Sequence, residues 1–166
     1  IKGAYIVASN SSFGLDYTFA IDQPIWCAMY DSMGKYGVLS AAAPSNTNYD
    51  IDMMGDVPGT CASNFLIITT SSNFMDQHSN RAYGKINVDI HSPGEGIYST
   101  DPNNAYTSKS GNSFASPHIA GAISFLFATA SDTFIKEYHQ DMSSSLLKIK
   151  NALMEGVDTF SVLNNY

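Results

Sequence analysis

The stretch that decides the fold is Gly111-Asn112-Ser113-Phe114-Ala115-Ser116-Pro117-His118-Ile119-Ala120-Gly121. Small and apolar residues continue beyond it, which predicts a long helix from Ser116 onward that lies inside the protein. Pro117 suits the first turn of such a helix, where a missing N–H has no cost. Ser113, just before the helix, has two interpretations. It is either an N-cap or a nucleophile. In the second case, the oxyanion that forms on the attacked carbonyl group would be stabilised by the free N–H groups and the positive dipole of the helix start.

Shorter apolar segments upstream alternate with helical patterns. Strands are predicted at residues 4–8, 37–42, 65–70 and 88–90, and helices at residues 24–36 and 144–154. Nearly continuous apolar runs are typical of strands that are covered on both faces, and strand–helix–strand order implies parallel pairing through right-handed crossovers. The sequence therefore predicts one α/β domain with a doubly wound, mostly parallel sheet and helices on both faces.

The composition excludes several classes of protein. The chain has 166 residues, of which 44% are hydrophobic and 14% charged, and its formal net charge is −7. Such a chain is long and apolar enough to bury a core. Its eight Lys and Arg residues form no basic cluster, so we expect no nucleic-acid partner. No stretch reaches the roughly 18–20 apolar residues of a membrane span. The oligomeric state is left open.

The decisive stretch closely resembles the nucleophile motif of the subtilase family, G-T-S-x-A-[ST]-P-H-x-A-G, and departs from it only at Asn112. Residues 88–100 resemble the strand and turn V-D-[IVL]-x-A-P-G-x-x-I-x-S-T of that family, with Ser92 where alanine is common. The resemblance covers nearly all of residues 1–157. It implies a subtilisin-like fold and a serine endopeptidase that hydrolyses extended polypeptides through an acyl-enzyme on Ser113.

The same resemblance implies positions for the rest of the site. Asn46 matches the oxyanion asparagine of the family, with Asn48 as the alternative. Without the resemblance, an Asn in this polar cluster would be interpreted as a turn residue. The segment Ser12-Phe13-Gly14 resembles an edge strand that pairs with an extended polypeptide substrate. The pocket for the side chain before the scissile bond is expected to be lined in part by Ala41, Ala42 and Ala43.

A serine nucleophile of this kind needs a histidine base and a carboxylate that orients it. In the family they stand in D-[ST]-G and H-G-T motifs, and neither motif occurs in this chain. His118 would lie on the wrong side of its helix to reach Ser113, and His78, His91 and His139 lack the spacing of a base. We expect residues 1–166 to be a single partial catalytic domain, incomplete at both ends. It would lack the segment with the triad Asp and His and the final strand, and would be inactive alone. A non-catalytic binding or scaffold module is the alternative.

Several smaller expectations follow. Catalysis by such a site requires no cofactor and no catalytic metal. The acidic residues Asp50, Asp52 and Asp56 form either a structural calcium site, which wants six to eight oxygens, or a solvated loop. For Cys27 and Cys61, two buried thiols are favoured over a disulfide. The resemblance implies a secreted or cell-surface location.

Overall fold

A computed structural model describes residues 5–163 and residue 166. Strands and helices alternate along most of this length. In chain order the elements are β1 (Ala8–Ser11), β2 (Leu15–Asp16), α1 (Pro24–Lys35), β3 (Leu39–Ala42), α2 (Ile51–Met54), β4 (Asp56–Val57), β5 (Leu66–Ser72), β6 (Ile90–Pro93), β7 (Ile97–Asp101), β8 (Ala105–Lys109), α3 (Asn112–Thr129), α4 (Asp132–Gln140) and α5 (Met142–Glu155), with 3-10 turns at Ala20–Asp22 and Ser161–Leu163.

The central sheet contains four strands in the order β1–β3–β5–β6, and every neighbouring pair is parallel. Two smaller antiparallel ladders join β2 to β4 and β7 to β8. Because parallel strands need crossovers, α1 connects β1 to β3 on one side of the sheet. The fold class predicted from the sequence is confirmed.

The two faces of the sheet carry different parts of the core. Alternate residues of a strand point to opposite faces. Leu39, Ala41 and Ile67 therefore pack with α3, α4 and α5, whereas Ala42, Leu66 and Ile68 pack with Tyr30 of α1. Helices thus cover both faces of the sheet. Polar residues such as Ser12 and Ser45 follow the carboxyl ends of β1 and β3.

Several element boundaries differ from those that the sequence predicts. The first strand begins at Ala8, so the predicted strand at residues 4–8 overlaps it by one residue, and Ala4 lies outside the described residues. The last central strand begins at Ile90 instead of residue 88. Helix α4 and the β7–β8 hairpin were not predicted. Helix α3 is buried on one face only, and Phe125 on its other face is 67% exposed.

The two cysteines form a disulfide. Cys27 in α1 is bonded to Cys61, which precedes β5, and the described residues contain no free cysteine. The prediction of two unpaired buried thiols is therefore wrong. A single pair at a separation of 34 residues does not reveal its bonding state in sequence, because pairing depends on how helix and loop approach in space.

Among the described residues, no single helix is both long enough and apolar enough to cross a membrane. The pair α3 and α4 meets both requirements only when the two helices are taken together, and the chain bends by 111° between them.

A glycine in α1 permits the close approach of this helix to the residue before β5. A Cβ at Gly34 would lie 2.0 Å from Cγ of Phe65, whereas a Cβ at Gly121 in α3 would meet no atom within 4 Å. We expect Gly34→Ala to lower the free energy of unfolding by about 1–3 kcal/mol through overpacking. The matched Gly121→Ala variant should raise it by about 0.5–1 kcal/mol, because Ala favours the helix. Urea denaturation measures both, and equal stability of Gly34→Ala and the parent would contradict the packing.

Candidate active site

Ser113 lies inside the first turn of α3. The helix begins at Asn112, and its N-cap is Gly111, which makes no side-chain capping hydrogen bond. Ser113 is therefore not the N-cap, and the first of the two interpretations is excluded. Because the first N–H groups of a helix lack the usual acceptor four residues earlier within it, the Ser113 N–H is available to a ligand at the helix start.

Pro117 lies within the helix, not in its first turn as predicted from the sequence. A proline has no N–H, so the carbonyl of Ser113, four residues earlier, loses its helical donor. The Ser12 hydroxyl replaces it and donates to the Ser113 carbonyl at 2.9 Å. In return, the Ser113 hydroxyl donates to the Ser12 carbonyl at 3.4 Å. The residue after β1 is thereby held against the nucleophile candidate.

Asn112 ties three segments together from a fully buried position. Its Oδ1 accepts from the Ser71 N–H at 2.9 Å, and its Nδ2 donates to the Ser45 carbonyl at 2.8 Å. A buried amide is stable only when its polar atoms are satisfied. Asn112 meets that requirement by bridging the end of β5, the loop after β3 and the start of α3. The one departure from the family motif thus has a structural role that a threonine hydroxyl is too short to fill in the same way.

The side-chain amide of Asn46 is oriented by the start of α3. Its Oδ1 accepts from the Asn112 N–H at 2.8 Å, which identifies this end of the amide as the oxygen. The other end, Nδ2, is then the free donor. Asn46 is exposed and lines the same cavity as Ser113. A side-chain donor and a first-turn N–H that share one cavity are what an oxyanion hole requires.

This cavity has a volume of about 260 Å³. Of the residues predicted for the site, it brings together Ser113, Asn46, Ser12, Phe13, Gly14 and Ala43. Ala41 and Ala42 do not line it, because both are fully buried and pack in the two halves of the core. Asn48, the alternative oxyanion residue, is not part of the wall either, and its Nδ2 donates to Asn80 at 2.7 Å. Two residues not predicted for the site, Asp16 and Asp56, also line the cavity.

The sequence is similar to known proteins over most of its length. Residues 7–158 match the family model described as the subtilase family. The chain belongs to the subtilase family. Among its relatives, Subtilisin-like protease 7 of Arthroderma gypseum is 32% identical over 130 residues, which cover 77% of this chain and 30% of the relative. Alkaline protease 1 of Emericella nidulans is 32% identical over 152 residues, which cover 90% of this chain and 34% of the relative.

Solved structures support the subtilase fold. The crystal structure of a cold-adapted subtilisin-like serine proteinase superposes with a TM-score of 0.71 at 22% identity and covers 98% of this chain. The chain spans 53% of that structure and about a third of the two relatives named above.

All four histidines of this subtilase chain lie within the described residues, and none of them forms a hydrogen bond with Ser113. Exposed His118 approaches the Phe114 carbonyl of its own helix at 2.7 Å. The ring of His139 packs against that of Tyr138 in a tilted arrangement, at a centroid distance of 5.5 Å. His78 and His91 contact each other, with Nδ1 of His78 3.3 Å from Nε2 of His91. The cavity beside Ser113 accordingly has no histidine in its described wall.

The His78–His91 pair predicts acid lability. Burial lowers the pKa of both imidazoles, that of His91 to about 4 with the charge of His78 adding to the effect. The unfolded chain binds these protons near pH 6.5, so the free energy of unfolding is expected to fall as the pH drops from about 6.5 to about 4. His91→Gln removes one of the two groups, so the slope of the free energy of unfolding against pH should decrease by up to about 1.4 kcal/mol per pH unit.

Urea denaturation at pH 7, 6 and 5 measures the effect. His139→Gln, which changes an exposed histidine, is the matched control and should keep the parental slope. An unchanged slope in His91→Gln would show that other groups cause the acid lability.

The three aspartates considered for calcium accept hydrogen bonds from different groups. Asp56 accepts from the Ser45 and Gly59 N–H groups and from the Tyr49 hydroxyl. Asp50 accepts from the Asp52 N–H at 2.9 Å, and Asp52 accepts from the Ile86 and Asn87 N–H groups at 2.8 and 3.1 Å. No group of three or more His, Cys, Asp or Glu side chains within the described residues is arranged to hold a metal ion. A structural calcium ion stays a prediction.

Proposed function

We propose that residues 1–166 are the nucleophile-bearing part of a serine endopeptidase of the subtilisin type. The observation that carries the proposal is the convergence of Ser113, the free Nδ2 of Asn46 and the segment 12–14 on one cavity. These groups come from three separate parts of the chain.

The geometry suggests the following chemistry. The Ser113 hydroxyl attacks a peptide carbonyl, and the Asn46 amide and the Ser113 N–H stabilise the resulting oxyanion. The base is a histidine that lies outside residues 1–166, oriented by a carboxylate from the same source, because none of the described histidines forms a hydrogen bond with Ser113. The amine product leaves with a proton, and water hydrolyses the acyl-enzyme. Residues 1–166 alone are then inactive.

An extended polypeptide is the proposed substrate. Ser12, Phe13 and Gly14 follow β1, the outer strand of the described sheet, and line the cavity. Backbone groups beyond a sheet edge can pair with an added strand, which supplies affinity through main-chain hydrogen bonds. Such pairing would draw the scissile carbonyl past Ser113, because Ser12 and Ser113 are hydrogen-bonded to each other.

A labelling experiment tests the proposed function. The longest chain that the gene encodes around residues 1–166 is incubated with a fluorophosphonate, and the modified residue is mapped by mass spectrometry. We expect modification of Ser113 in that chain and little or none in residues 1–166 alone, since the hydroxyl there lacks a base. Boiled protein is the control for non-specific reaction. Modification at other serines only, or none, would overturn the proposal.

The same experiment decides a second candidate, a non-catalytic binding or scaffold module. The absence of any histidine from the described cavity wall favours it. If the longer chain binds extended peptides but is neither labelled nor hydrolytic, the module is the correct function. Hydrolysis with labelling of Ser113 excludes it.

A secreted or cell-surface location is also part of the proposal. It is supported by the Cys27–Cys61 disulfide, because disulfides persist mainly in oxidising compartments. Alkylation of thiols in freshly harvested cells and in the medium measures where the bonded form is found. A fully reduced pool confined to the cytosol would contradict this location.

A further inference from the structure

Two carboxylates lie in the wall of the cavity beside Ser113. Asp16 of β2 and Asp56 of β4 are directly opposite each other in the antiparallel ladder, so their side chains project from the same face. Both line the cavity, and no Lys or Arg of the described residues lines it or pairs with either carboxylate. Like charges placed opposite each other destabilise a ladder. A cation inside the cavity would remove that repulsion.

Asp56 is fixed in place by hydrogen bonds, and no Lys or Arg of the described residues pairs with it. It is 1% exposed, and its oxygens accept from the Ser45 N–H at 3.0 Å, the Gly59 N–H at 3.0 Å and the Tyr49 hydroxyl at 3.2 Å. Burial raises the pKa of Asp56, and the charge of Asp16 adds to the effect. All three donors are neutral. Asp16 is exposed, and its side chain accepts no hydrogen bond from the described residues.

We propose that this cavity accepts a positively charged side chain, so that the enzyme cleaves polypeptides after Lys or Arg. The inference rests on the proposed function, because the cavity is identified as a substrate pocket by Ser113 and Asn46 and not by its acidity. The residue whose carbonyl is attacked lies next to Ser113, and its side chain is therefore the one that reaches the cavity.

The size and lining of the cavity fit such a side chain. Its volume of about 260 Å³ is below the roughly 300–1,000 Å³ of pockets for drug-sized ligands, so it suits one side chain. Phe13 and Pro44 offer apolar surface to a methylene stem, as the stems of Lys and Arg require. The carboxylates of Asp16 and Asp56 offer charge-assisted hydrogen bonds to its head group.

Peptide hydrolysis tests the inference. The longest chain encoded around residues 1–166 is assayed with fluorogenic peptides that differ only in the residue before the scissile bond, which is Arg, Lys, Gln or Leu. Gln has a long polar side chain without charge. We expect kcat/KM for Arg and Lys to exceed that for Gln and Leu by about tenfold or more.

Variants of Asp16 link the preference to the cavity, because an exposed residue can be changed without loss of folding. Asp16→Asn should lower the Arg-to-Gln ratio by about tenfold, and Asp16→Lys should lower it further. Asp22→Asn removes the same charge from an exposed residue that does not line the cavity. This control should keep the parental ratio.

A binding measurement separates failure of the inference from failure of the proposed function. Benzamidine and its neutral analogue benzamide are titrated into the same chain, and amide shifts near Asp16 and Ser113 are followed by NMR. Preferred binding of benzamidine without hydrolysis of any peptide supports the cation pocket and overturns the endopeptidase function. Hydrolysis without preference for Arg or Lys overturns the cation pocket alone. Neither hydrolysis nor benzamidine binding overturns both.

Discussion

Ser113→Ala is expected to lower peptide hydrolysis by the longest encoded chain about a millionfold in kcat, because removal of a serine nucleophile leaves only the contributions of the oxyanion hole and of binding. The Ser113 hydroxyl makes one long hydrogen bond, to the Ser12 carbonyl at 3.4 Å. Because the loss of this bond should disturb the cavity wall little, KM should change little. A continuous assay with a fluorogenic peptide measures both constants.

The matched control for this variant is Ser124→Ala. Ser124 lies in the same helix on an exposed face, and its hydroxyl donates to the Ala120 carbonyl at 2.9 Å. Its removal should leave kcat within about twofold, as expected for surface substitutions away from special features. If Ser113→Ala retained substantial hydrolysis, acylation of Ser113 would not be the reaction.

Asn46→Ala is expected to lower kcat about a hundredfold to a thousandfold, the cost of removing one oxyanion donor. The donor is Nδ2, because Oδ1 is engaged with the Asn112 N–H. Asn46→Asp refines the experiment, since it keeps an acceptor for Asn112 but offers no donor to the oxyanion. It should lose at least as much activity as Asn46→Ala, while its thermal midpoint stays closer to that of the parent.

Asn48→Ala is the control and distinguishes the two asparagines. Asn48 is exposed, lies outside the cavity wall and bonds to Asn80, so its loss should change kcat by less than about twofold. A large loss in Asn48→Ala combined with full activity in Asn46→Ala would reverse the assignment.

The sheet was predictable because its apolar runs are long and the helices between them have regular spacing. The runs at residues 37–42 and 65–70 lie in strands with both faces buried, which leaves little ambiguity. The first strand was misplaced because its residues, Ala8-Ser9-Asn10-Ser11, are mostly polar. These side chains form hydrogen bonds with other elements. For example, Oδ1 of Asn10 accepts from the Ser116 hydroxyl at 2.6 Å. Such long-range partners are invisible to a local pattern.

The hairpin and α4 carried weaker signals that local rules could have identified. Asn103 and Asn104 both have positive φ angles, of 63° and 60°, in the turn between β7 and β8, and asparagine is favoured in such turns. Helix α4 begins after Ser131, whose hydroxyl accepts from the Phe134 N–H. A serine N-cap of this kind is a recognised start signal.

The candidate site was predictable only in part, because some residues that line its cavity come together through long-range contacts. Ser113 and Asn46 were predicted as site residues because the segments around them resemble segments of the subtilase family. Asp16 and Asp56 stand in two-residue strands that are 40 positions apart. Asp16 has no distinctive local context, and the acidic cluster around Asp56 pointed to calcium or a solvated loop and not to the substrate pocket. The proximity of the two carboxylates depends on a ladder that forms only after the parallel sheet has folded.

The hydrogen bonds around Ser113 also determine when the candidate site is assembled during folding. The Ser12 bond to Ser113 joins residues 101 positions apart, and the Asn46 bond to Asn112 joins residues 66 positions apart. Contacts of such separation form late, because the loop between them must be closed first. During synthesis, residues 12 and 46 leave the ribosome well before residue 113. The arrangement proposed for acylation therefore exists only after residue 113 has emerged and folded against residues 12 and 46.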